Sequence, residues 1–521
     1  MMNPLKHETL NAELLGLKND RFGPSVTHFR NIKYGSIQAR FARATALNDL
    51  KYQAQDGIVD CTKFGSQCPQ IQVDIGHMLR LPEGEVDAKV PENELECLNL
   101  NVTIPSTIPE HARLPVCVWI HGGSQAVTFP SAASKCGDQA RIVAQSVEEG
   151  RPIIFVSFNY RLNIFAFGDE KGEKNLALKD QRLAIDWVKK HISGFGGDRD
   201  KITVAGESAG AVYAHAQLVA DKSLSGITAS GSLYLSPPIP LAMKQGMLAK
   251  ISATLSRTCP GQTLATAPAD ALIFALEENN ILSFYLEHDP EDEALCNWQA
   301  LTSELPRIMI GDVAYEGSIW RNKHDTSSPA ELVSAFDDTD PEYGPRLRKM
   351  YGIVRNRAHS SRNGVVDFIT DARFALPVEE MWDAARTKQG DNIKWYRYLF
   401  DEPNPWHKSS GAHHAVDLLY LFGVVDLSHS QHAELVSRSW RSSWIRFIAG
   451  EEPWSKDRRY SFGPLGRCGE MDVEAVEDTA DMDFKARRRT RAFDLLKEIG
   501  WERYNKIFVK IAAGKVSLED T

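Results

Sequence analysis

The sequence predicts an α/β fold, with a central, mostly parallel and twisted sheet flanked by helices. Three short apolar runs, at 115–120, 153–157 and 202–205, have the length and composition of strands that are buried on both faces. Between the last two lies a segment, 176–192, whose apolar residues recur at helical spacing. This order of strand, helix and strand is typical of a parallel sheet.

Two further strands are predicted late in the chain, at 306–311 and 393–400. Residues from about 240 to 390 are otherwise helical and irregular, and we interpret them as a cap or insertion above the sheet. The whole chain, 1–521, is therefore predicted to form one domain. Its length and its 43% of hydrophobic residues provide ample material for a large core.

The third predicted strand runs directly into the sequence G-E-S-A-G at 206–210, and the apolar run that follows predicts a helix. A serine between two glycines at a strand-to-helix turn is typical of a nucleophile elbow, where the bend exposes the serine. The five letters alone are weak evidence, because chance supplies them in many chains. Their place between a strand and a helix favours Ser208 as a nucleophile.

A serine nucleophile needs a histidine to accept its proton and a carboxylate to orient that histidine. In α/β-hydrolases, the fold that an elbow favours, the acid and then the histidine follow the serine, each in a loop after a later strand. The loop after the first late strand offers Asp312 and Glu316, and the loop after the second offers His413 and His414. Position alone leaves both choices open.

Acyl chemistry also needs hydrogen-bond donors for the negative oxygen that develops on the substrate. The sequence H-G-G-S at 121–124 directly follows the strand at 115–120. A loop at this place is expected to supply backbone N–H groups that act together with the N–H of Ala209. A tight glycine turn would have the same letters, but the elbow downstream favours an oxyanion hole.

Charge and composition disfavour several other classes of protein. The net charge of −9 and the pI near 6.0 argue against a nucleic-acid-binding protein. The nearest basic patch, at 485–491, has helical spacing and is interpreted as the solvated face of a helix. Eight cysteines without paired metal-binding spacing predict neither a metal site nor a disulfide scaffold. The sequence does not indicate an oligomeric state.

The chain also lacks the patterns of membrane insertion and export. No apolar run approaches the ~18 residues of a membrane span, and the first twenty residues show no secretion leader. We therefore predict a soluble cytoplasmic protein, with a secreted mature form as the alternative.

The chain resembles the type-B carboxylesterase/lipase family, which includes cholinesterases and the adhesion proteins called neuroligins. The matching segments run from E-L-E-C-L-N-L-N-V at 94–102 to S-W-I-R-F at 443–447. The most specific of them is F-G-G-D-R-D-K-I-T-V-A-G-E-S-A-G-A at 195–211. The resemblance implies an α/β-hydrolase that cleaves small-molecule carboxylic esters and needs no cofactor or metal.

The resemblance also selects among the candidate residues. The family's acid stands immediately before Gly-Ser, which implies Glu316, and its histidine stands three residues before an acidic residue, which implies His414. The resemblance also implies that the N–H groups of Gly123, Ser124 and Ala209 are the oxyanion donors. It implies polar support around the triad from Glu207, Ser230 and Asp417. Finally, it implies a disulfide between Cys68 and Cys97. A disulfide is unexpected in the cytosol, so either these cysteines are thiols or the predicted compartment is wrong.

Two departures from the family pattern bear on the substrate. The family usually has three glycines and an aromatic residue where this chain has Gly122-Gly123-Ser124-Gln125, so substrate size or rate is expected to differ. The stretch 68–97 contains no Trp, and cholinesterases bind their cationic ligand on an aromatic residue there. Choline esters are therefore not expected as substrates.

Two other functions remain as alternatives. An acyltransferase, or an enzyme that forms or opens lactones, would use the same triad, with an alcohol in place of water clearing the acyl-enzyme. A catalytically silent binding protein, as the neuroligins are, is the less favoured alternative, because Ser208 is present and no anchor or leader is seen.

Overall fold

The structure is a computed structural model that describes residues 2–54, 57–82, 89–169, 172–321, 327–423, 425–471 and 488–512. Its strands are β1 (Met2–His7), β2 (Ala12–Asn19), β3 (Val26–Lys33), β4 (Gly35–Ser36), β5 (Thr45–Ala46), β6 (Ile58–Asp60), β7 (Asn99–Pro105), β8 (Leu114–Ile120), β9 (Ile154–Phe158), β10 (Gly197–Glu207), β11 (Ser225–Ala229), β12 (Ile308–Val313), β13 (Trp395–Phe400), β14 (Arg459–Phe462) and β15 (Cys468–Met471).

The α-helices, numbered in chain order, are α1 (Ile75–Met78), α2 (Ala140–Glu148), α3 (Asn163–Phe167), α4 (Leu176–His191), α5 (Ala209–Ala220), α6 (Leu241–Thr258), α7 (Ala269–Glu278), α8 (Glu293–Cys296), α9 (Trp298–Thr302), α10 (Pro329–Asp337), α11 (Gly344–Met350), α12 (Ala358–Thr370), α13 (Leu376–Gln389), α14 (Val416–Phe422), α15 (Gln431–Ile448), α16 (Thr490–Ile499) and α17 (Trp501–Ala512). One π-helical turn, Asp371–Ala375, joins α12 to α13.

Most strands belong to one sheet, in the order β1-β2-β3-β7-β9-β8-β10-β11-β12-β13-β14-β15, with β6 beside β2. From β9 to β14 every neighbouring pair runs parallel. The other pairs along this order are antiparallel, and β6 pairs with β2 in parallel. The five strands predicted from apolar runs are β8, β9, β10, β12 and β13, and all lie in this parallel part. The predicted fold class is therefore confirmed.

Helices cover both faces of the parallel strands. The side chains of β8 pack alternately against the helices on the two faces. Val116, Val118 and Ile120 pack into a core formed with α4, α5 and α13. Cys117 and Trp119 alternate with them and pack into a second core formed with α2, α14 and α15. A strand buried on both sides needs a continuous apolar run rather than alternation, which is what the sequence has at this place.

The region predicted as a cap, 240–390, is mainly helical, and β12 divides it into two parts. Helices α6 to α9 precede β12, and α10 to α13 follow it. The later part packs with α16 and α17 around a separate apolar cluster. Its assignment as a cap stays a prediction.

Cys68 and Cys97 lie together in the first core, both buried and both free thiols. The thiol of Cys68 also accepts a hydrogen bond from the N–H of Leu162 at 3.3 Å. Burial raises the pKa of Cys68, and a protonated thiol does not start disulfide formation. The structure contains no disulfide between them, and the disulfide implied by the resemblance stays a prediction.

Within the described ranges, no helix combines the length and apolar character that crossing a bilayer requires.

Candidate active site

Ser208 lies at the turn between β10 and α5. Its backbone has φ 56° and ψ −124°, a conformation that residues with a side chain seldom adopt. The N–H of Ser208 donates to the carbonyl of Ala229 at 2.9 Å, which ties the turn to the end of β11. The strained turn is therefore fixed by the sheet on one side and by the helix on the other.

The two glycines of the motif allow this tight turn. A Cβ at Gly206 would lie 2.3 Å from the carbonyl of Gly210, and a Cβ at Gly210 would lie 2.1 Å from the carbonyl oxygen of Ile120. Both distances are far below a normal contact between these atoms. A side chain at either position would push α5 away from the sheet.

Glu316 and His414 come together above the same end of the sheet. His414 Nδ1 lies 2.5 Å from Glu316 Oε2, and Glu316 Oε1 accepts the N–H of Val313 at 2.8 Å. The N–H of Tyr315 donates to the carbonyl of Ala412 at 2.9 Å, so the loops after β12 and β13 are bonded directly to each other. These contacts hold Nδ1 of His414 against Glu316 and tie the two loops together.

The alternative acid, Asp312, has other partners. Its carboxylate is fully buried and bonds to the guanidinium groups of Arg397 and Arg488. Both oxygens are thus occupied by arginines, and Asp312 anchors the base of the loop that carries Glu316. Arg488 is 4% exposed, so its prediction as part of a solvated helix face was wrong, because Asp312 binds it in the interior. Residues 485–487 of that patch lie outside the described residues.

The alternative histidine, His413, is also occupied. Its Nδ1 lies 2.9 Å from the carbonyl oxygen of His414, and its Nε2 lies 3.0 Å from Nδ2 of Asn404. Burial lowers the pKa of His413 to about 4, so the ring is neutral at physiological pH. His413 therefore supports the loop and is not free to serve Ser208.

The second nitrogen of His414 is turned toward a carboxylate. Nε2 lies 3.2 Å from Glu207 Oε1, although the two are not aligned as a hydrogen bond. Within the described residues, no hydrogen bond joins Ser208 Oγ to His414. Catalytic hydrogen bonds are often long or misaligned in free enzymes and tighten when substrate binds.

Burial and charge shift the pKa values of three groups in the site. Burial is the main cause and the charge of Glu316 adds to it, and together they raise the pKa of Glu207 to about 8 and that of Asp417 to about 7. Burial by itself lowers the pKa of His414, but the carboxylates of Glu207 and Glu316 outweigh it and raise this pKa to about 9. A neutral imidazole, the form that acts as a base, therefore becomes abundant only in alkaline solution.

The loop after β8 lies against Ser208, since a Cβ at Gly122 would be 3.3 Å from Ser208 Cβ. The carbonyl of Gly122 accepts bonds from the N–H of Phe129 at 3.3 Å and from Nδ1 of His121 at 2.9 Å. Because the C=O and N–H of a trans peptide point in opposite directions, the N–H of Gly123 faces away from those partners.

The next peptide is fixed in the same way. The carbonyl of Gly123 accepts the N–H groups of Ala126 at 2.9 Å and Val127 at 3.0 Å, so the N–H of Ser124 also points away from the loop. Throughout the part of the chain that the structure describes, the N–H groups of Gly123, Ser124 and Ala209 donate to no protein acceptor. These three donors are therefore unused by the protein, and their role as an oxyanion hole stays a prediction.

His121 and Tyr160 support this loop, and the sequence analysis assigned neither of them a role. The ring of His121 stacks on Tyr160 with the centroids 4.4 Å apart, and the Tyr160 hydroxyl donates to the carbonyl of His121 at 2.8 Å. Burial lowers the pKa of His121 to about 4, so its ring stays neutral. The sequences H-G-G-S at 121–124 and N-Y-R-L at 159–162 contain these residues but do not show that they touch.

The remaining predicted support residues are buried nearby. Ser230 follows β11, and its N–H donates to the carbonyl of Gly311 at 2.9 Å. Ser230 Oγ and Asp417 Oδ1 have no hydrogen-bond partner among the described residues, and the same holds for the hydroxyls of Thr228 and Tyr398. Phe374, from the π-helical turn, packs edge-on against His414 with the ring centroids 5.5 Å apart. No motif indicated Thr228, Tyr398 or Phe374.

Comparison with known proteins identifies relatives over most of the chain. A family model described as the carboxylesterase family matches residues 5–467. Lipase 3 of Yarrowia lipolytica is 30% identical over 505 residues, which cover 92% of this chain and 97% of the relative. The para-nitrobenzyl esterase of Bacillus subtilis is 28% identical over 439 residues, 76% of this chain and 81% of its own. A solved PNB esterase structure superposes with a TM-score of 0.69 at 22% identity, covering 91% of this chain and 98% of that one.

Proposed function

Because the chain belongs to the carboxylesterase family and is a carboxylic-ester hydrolase, we propose that it works through a Ser208-His414-Glu316 triad and an acyl-enzyme. The observation that carries this proposal is the Glu316–His414 bond of 2.5 Å at the same sheet edge as the strained Ser208 turn. A carboxylate on Nδ1 keeps the other nitrogen, Nε2, available as a base.

The first step is the transfer of the Ser208 proton to His414 Nε2. In the structure this nitrogen faces Glu207, the residue before Ser208, so a rotation of the imidazole is needed to bring it to the hydroxyl. Loss of the proton from His414 favours this rotation, because a carboxylate attracts a neutral imidazole less than it attracts an imidazolium. Glu316 and Asp417 then stabilise the imidazolium that forms.

Ser208 Oγ then bonds to the ester carbonyl carbon, and the carbonyl electron pair moves onto its oxygen. The N–H groups of Gly123, Ser124 and Ala209 stabilise this oxyanion. When the tetrahedral intermediate collapses, the bond to the alcohol oxygen breaks, and the alcohol leaves with the proton from His414. Water, deprotonated by the same histidine, attacks the acyl-enzyme and releases the acid with Ser208 restored.

A fluorophosphonate probe tests the assignment of the nucleophile directly. Its phosphorus accepts the serine oxygen and loses fluoride, so only an activated serine reacts quickly. We expect one probe per chain, on the peptide that contains Ser208, as measured by digestion and mass spectrometry. Ser230→Ala should still be labelled and Ser208→Ala should not. Rapid labelling of a different serine would contradict the proposed mechanism.

Glu207→Gln is expected to move the alkaline pH dependence of hydrolysis to lower pH. In the wild-type protein, kcat/KM should rise as His414 loses its proton near its pKa of about 9. At that pH, Glu207 is ionised, since its own pKa is about 8, and its charge stabilises the imidazolium. Glutamine removes the charge, so the His414 pKa should fall by about one unit. The measurement is kcat/KM for a short-chain nitrophenyl ester against pH, with spontaneous hydrolysis subtracted.

Two variants serve as comparisons for the Glu207 result. Asp417→Asn should shift the profile in the same direction by less, because Asp417 has the weaker effect on the His414 pKa. Glu451→Gln, which changes a half-exposed carboxylate paired with Arg151, should leave the profile unchanged. A wild-type profile in Glu207→Gln, or a shift to higher pH, would show that Glu207 does not act on the base.

A further inference from the structure

Gln125 stands in the oxyanion loop in an unusual backbone conformation. Ser124 has φ 55° and Gln125 has φ 60°, so two consecutive residues with side chains occupy the left-handed region that favours glycine. Such a conformation costs energy and persists only where surrounding contacts hold it. The contacts that hold this loop are therefore candidates for a role in the reaction.

Hydrogen bonds from three separate segments fix the strained pair. The N–H of Phe284 donates to the carbonyl of Ser124 at 2.9 Å, and the N–H of Asn163 donates to the carbonyl of Gln125 at 2.9 Å. The Tyr213 hydroxyl donates to Gln125 Oε1 at 2.9 Å. Both side chains of this last bond are 3% exposed. Among the described residues, this is the only hydrogen bond that the Gln125 side chain makes, because its Nε2 has no partner there.

Tyr213 belongs to the helix that supplies the other half of the oxyanion hole. It lies four residues after Ala209 on α5, one helical turn along the same face. Its ring also packs edge-on against Tyr160, with the centroids 5.5 Å apart, and Tyr160 in turn carries His121. The Tyr213–Gln125 bond therefore joins α5, with its Ala209 donor, to the loop with the Gly123 and Ser124 donors.

We propose that Tyr213 and Gln125 are positioning residues, whose hydrogen bond sets the distance between the two halves of the oxyanion hole. This inference rests on the proposed ester hydrolysis. Burial raises the pKa of Tyr213, so its hydroxyl stays protonated and remains a donor throughout the working pH range. Gln125, where the family usually has an aromatic residue, supplies the acceptor that this tyrosine needs.

The contribution of this bond should appear in the transition state rather than in substrate binding. The oxyanion carries its full charge only after Ser208 has attacked, and small displacements of the donors then weaken every hydrogen bond to it. A loop that is free to move would still accept the neutral ester. Loss of the Tyr213–Gln125 bond should accordingly lower kcat and leave KM nearly unchanged.

The experiment is a double-mutant cycle with Tyr213→Phe, Gln125→Met and the double variant. Each single variant should lose about tenfold in kcat for a nitrophenyl ester with little change in KM. The double variant should lose no more than either single variant, because both remove the same bond. Affinity for a trifluoromethyl ketone, whose adduct with Ser208 places an oxyanion in the hole, should fall by the same factor.

Tyr34→Phe is the matched control, since it removes another buried tyrosine hydroxyl bond, to the carbonyl of Asn159 at 2.7 Å. It should lower the melting temperature to a similar extent and leave kcat unchanged. If kcat in Tyr213→Phe and Gln125→Met stays within about twofold of wild type while Ser208→Ala is inactive, the inference is wrong and the proposed function stands. Activity retained in Ser208→Ala would instead overturn the proposed function.

Discussion

Ser208→Ala is expected to lower kcat/KM for a short-chain nitrophenyl ester by at least about 10³-fold. The variant retains the backbone donors for the oxyanion but cannot form an acyl-enzyme. The loss should therefore lie in kcat, with KM similar to that of the wild-type protein. Steady-state kinetics of both proteins, measured together with a buffer blank, provide the comparison.

The variant should remain folded, which separates a chemical loss from a structural one. Alanine is smaller than serine, and the N–H bond from this position to Ala229 uses backbone atoms only. Ser146→Ala is a suitable control, because Ser146 is also buried and its Oγ accepts the N–H of Ile153 at 3.1 Å. This control should lose some thermal stability and keep its activity. Wild-type kinetics in Ser208→Ala would contradict the triad.

The central part of the fold could be predicted from the sequence because each of its strands is indicated by its own residues. Strands β8, β9, β10, β12 and β13 are buried on both faces, so each appears as a continuous apolar run. The antiparallel strands β1 to β3 lack such runs, and β1 alternates between exposed and partly buried residues. Their pairing depends on partners elsewhere in the chain, which no single segment reveals.

The choice between the two candidate acids shows most clearly what a local sequence pattern does not predict. Asp312 and Glu316 are both acids in one loop, and their different roles follow from partners that are distant in sequence. Arg397 on β13 and Arg488 before α16 hold Asp312, while His414 contacts Glu316. Propensity rules had no means to foresee these pairs. Only the family resemblance selected Glu316.

The conformation of the oxyanion loop is a second feature that its own residues do not predict. Rules for backbone conformation would place glycine at both positions with positive φ, whereas the chain has Ser124 and Gln125 there. Their conformation is imposed by hydrogen bonds from Phe284, Asn163 and Tyr213, which come from three other parts of the chain. A strained loop of this kind is decided by tertiary contacts, so its geometry could not be read from its own residues.

His414→Ala is expected to lower kcat/KM by at least about 10³-fold, since Ser208 would then have no base. The neighbouring histidine provides a sharp comparison, because His413→Ala changes the same residue type one position away. His413 makes its hydrogen bonds to Asn404 and to the carbonyl of His414. Its loss should cost less than about tenfold in kcat/KM and about 1–3 kcal/mol in the free energy of unfolding.

The two histidine variants are thus expected to differ in opposite ways: His414→Ala should lose activity and stay folded, and His413→Ala should keep most activity and lose stability. His414→Ala removes a group held by two carboxylates, Glu207 and Glu316, whose negative charges then lie close together without a cation. That repulsion favours a protonated Glu207, which its raised pKa already permits, so the protein should stay folded near neutral pH. Kinetics and thermal unfolding measured on both variants test the pair. Loss of activity in His413→Ala with activity retained in His414→Ala would reverse the assignment of the base and leave Ser208 as the nucleophile.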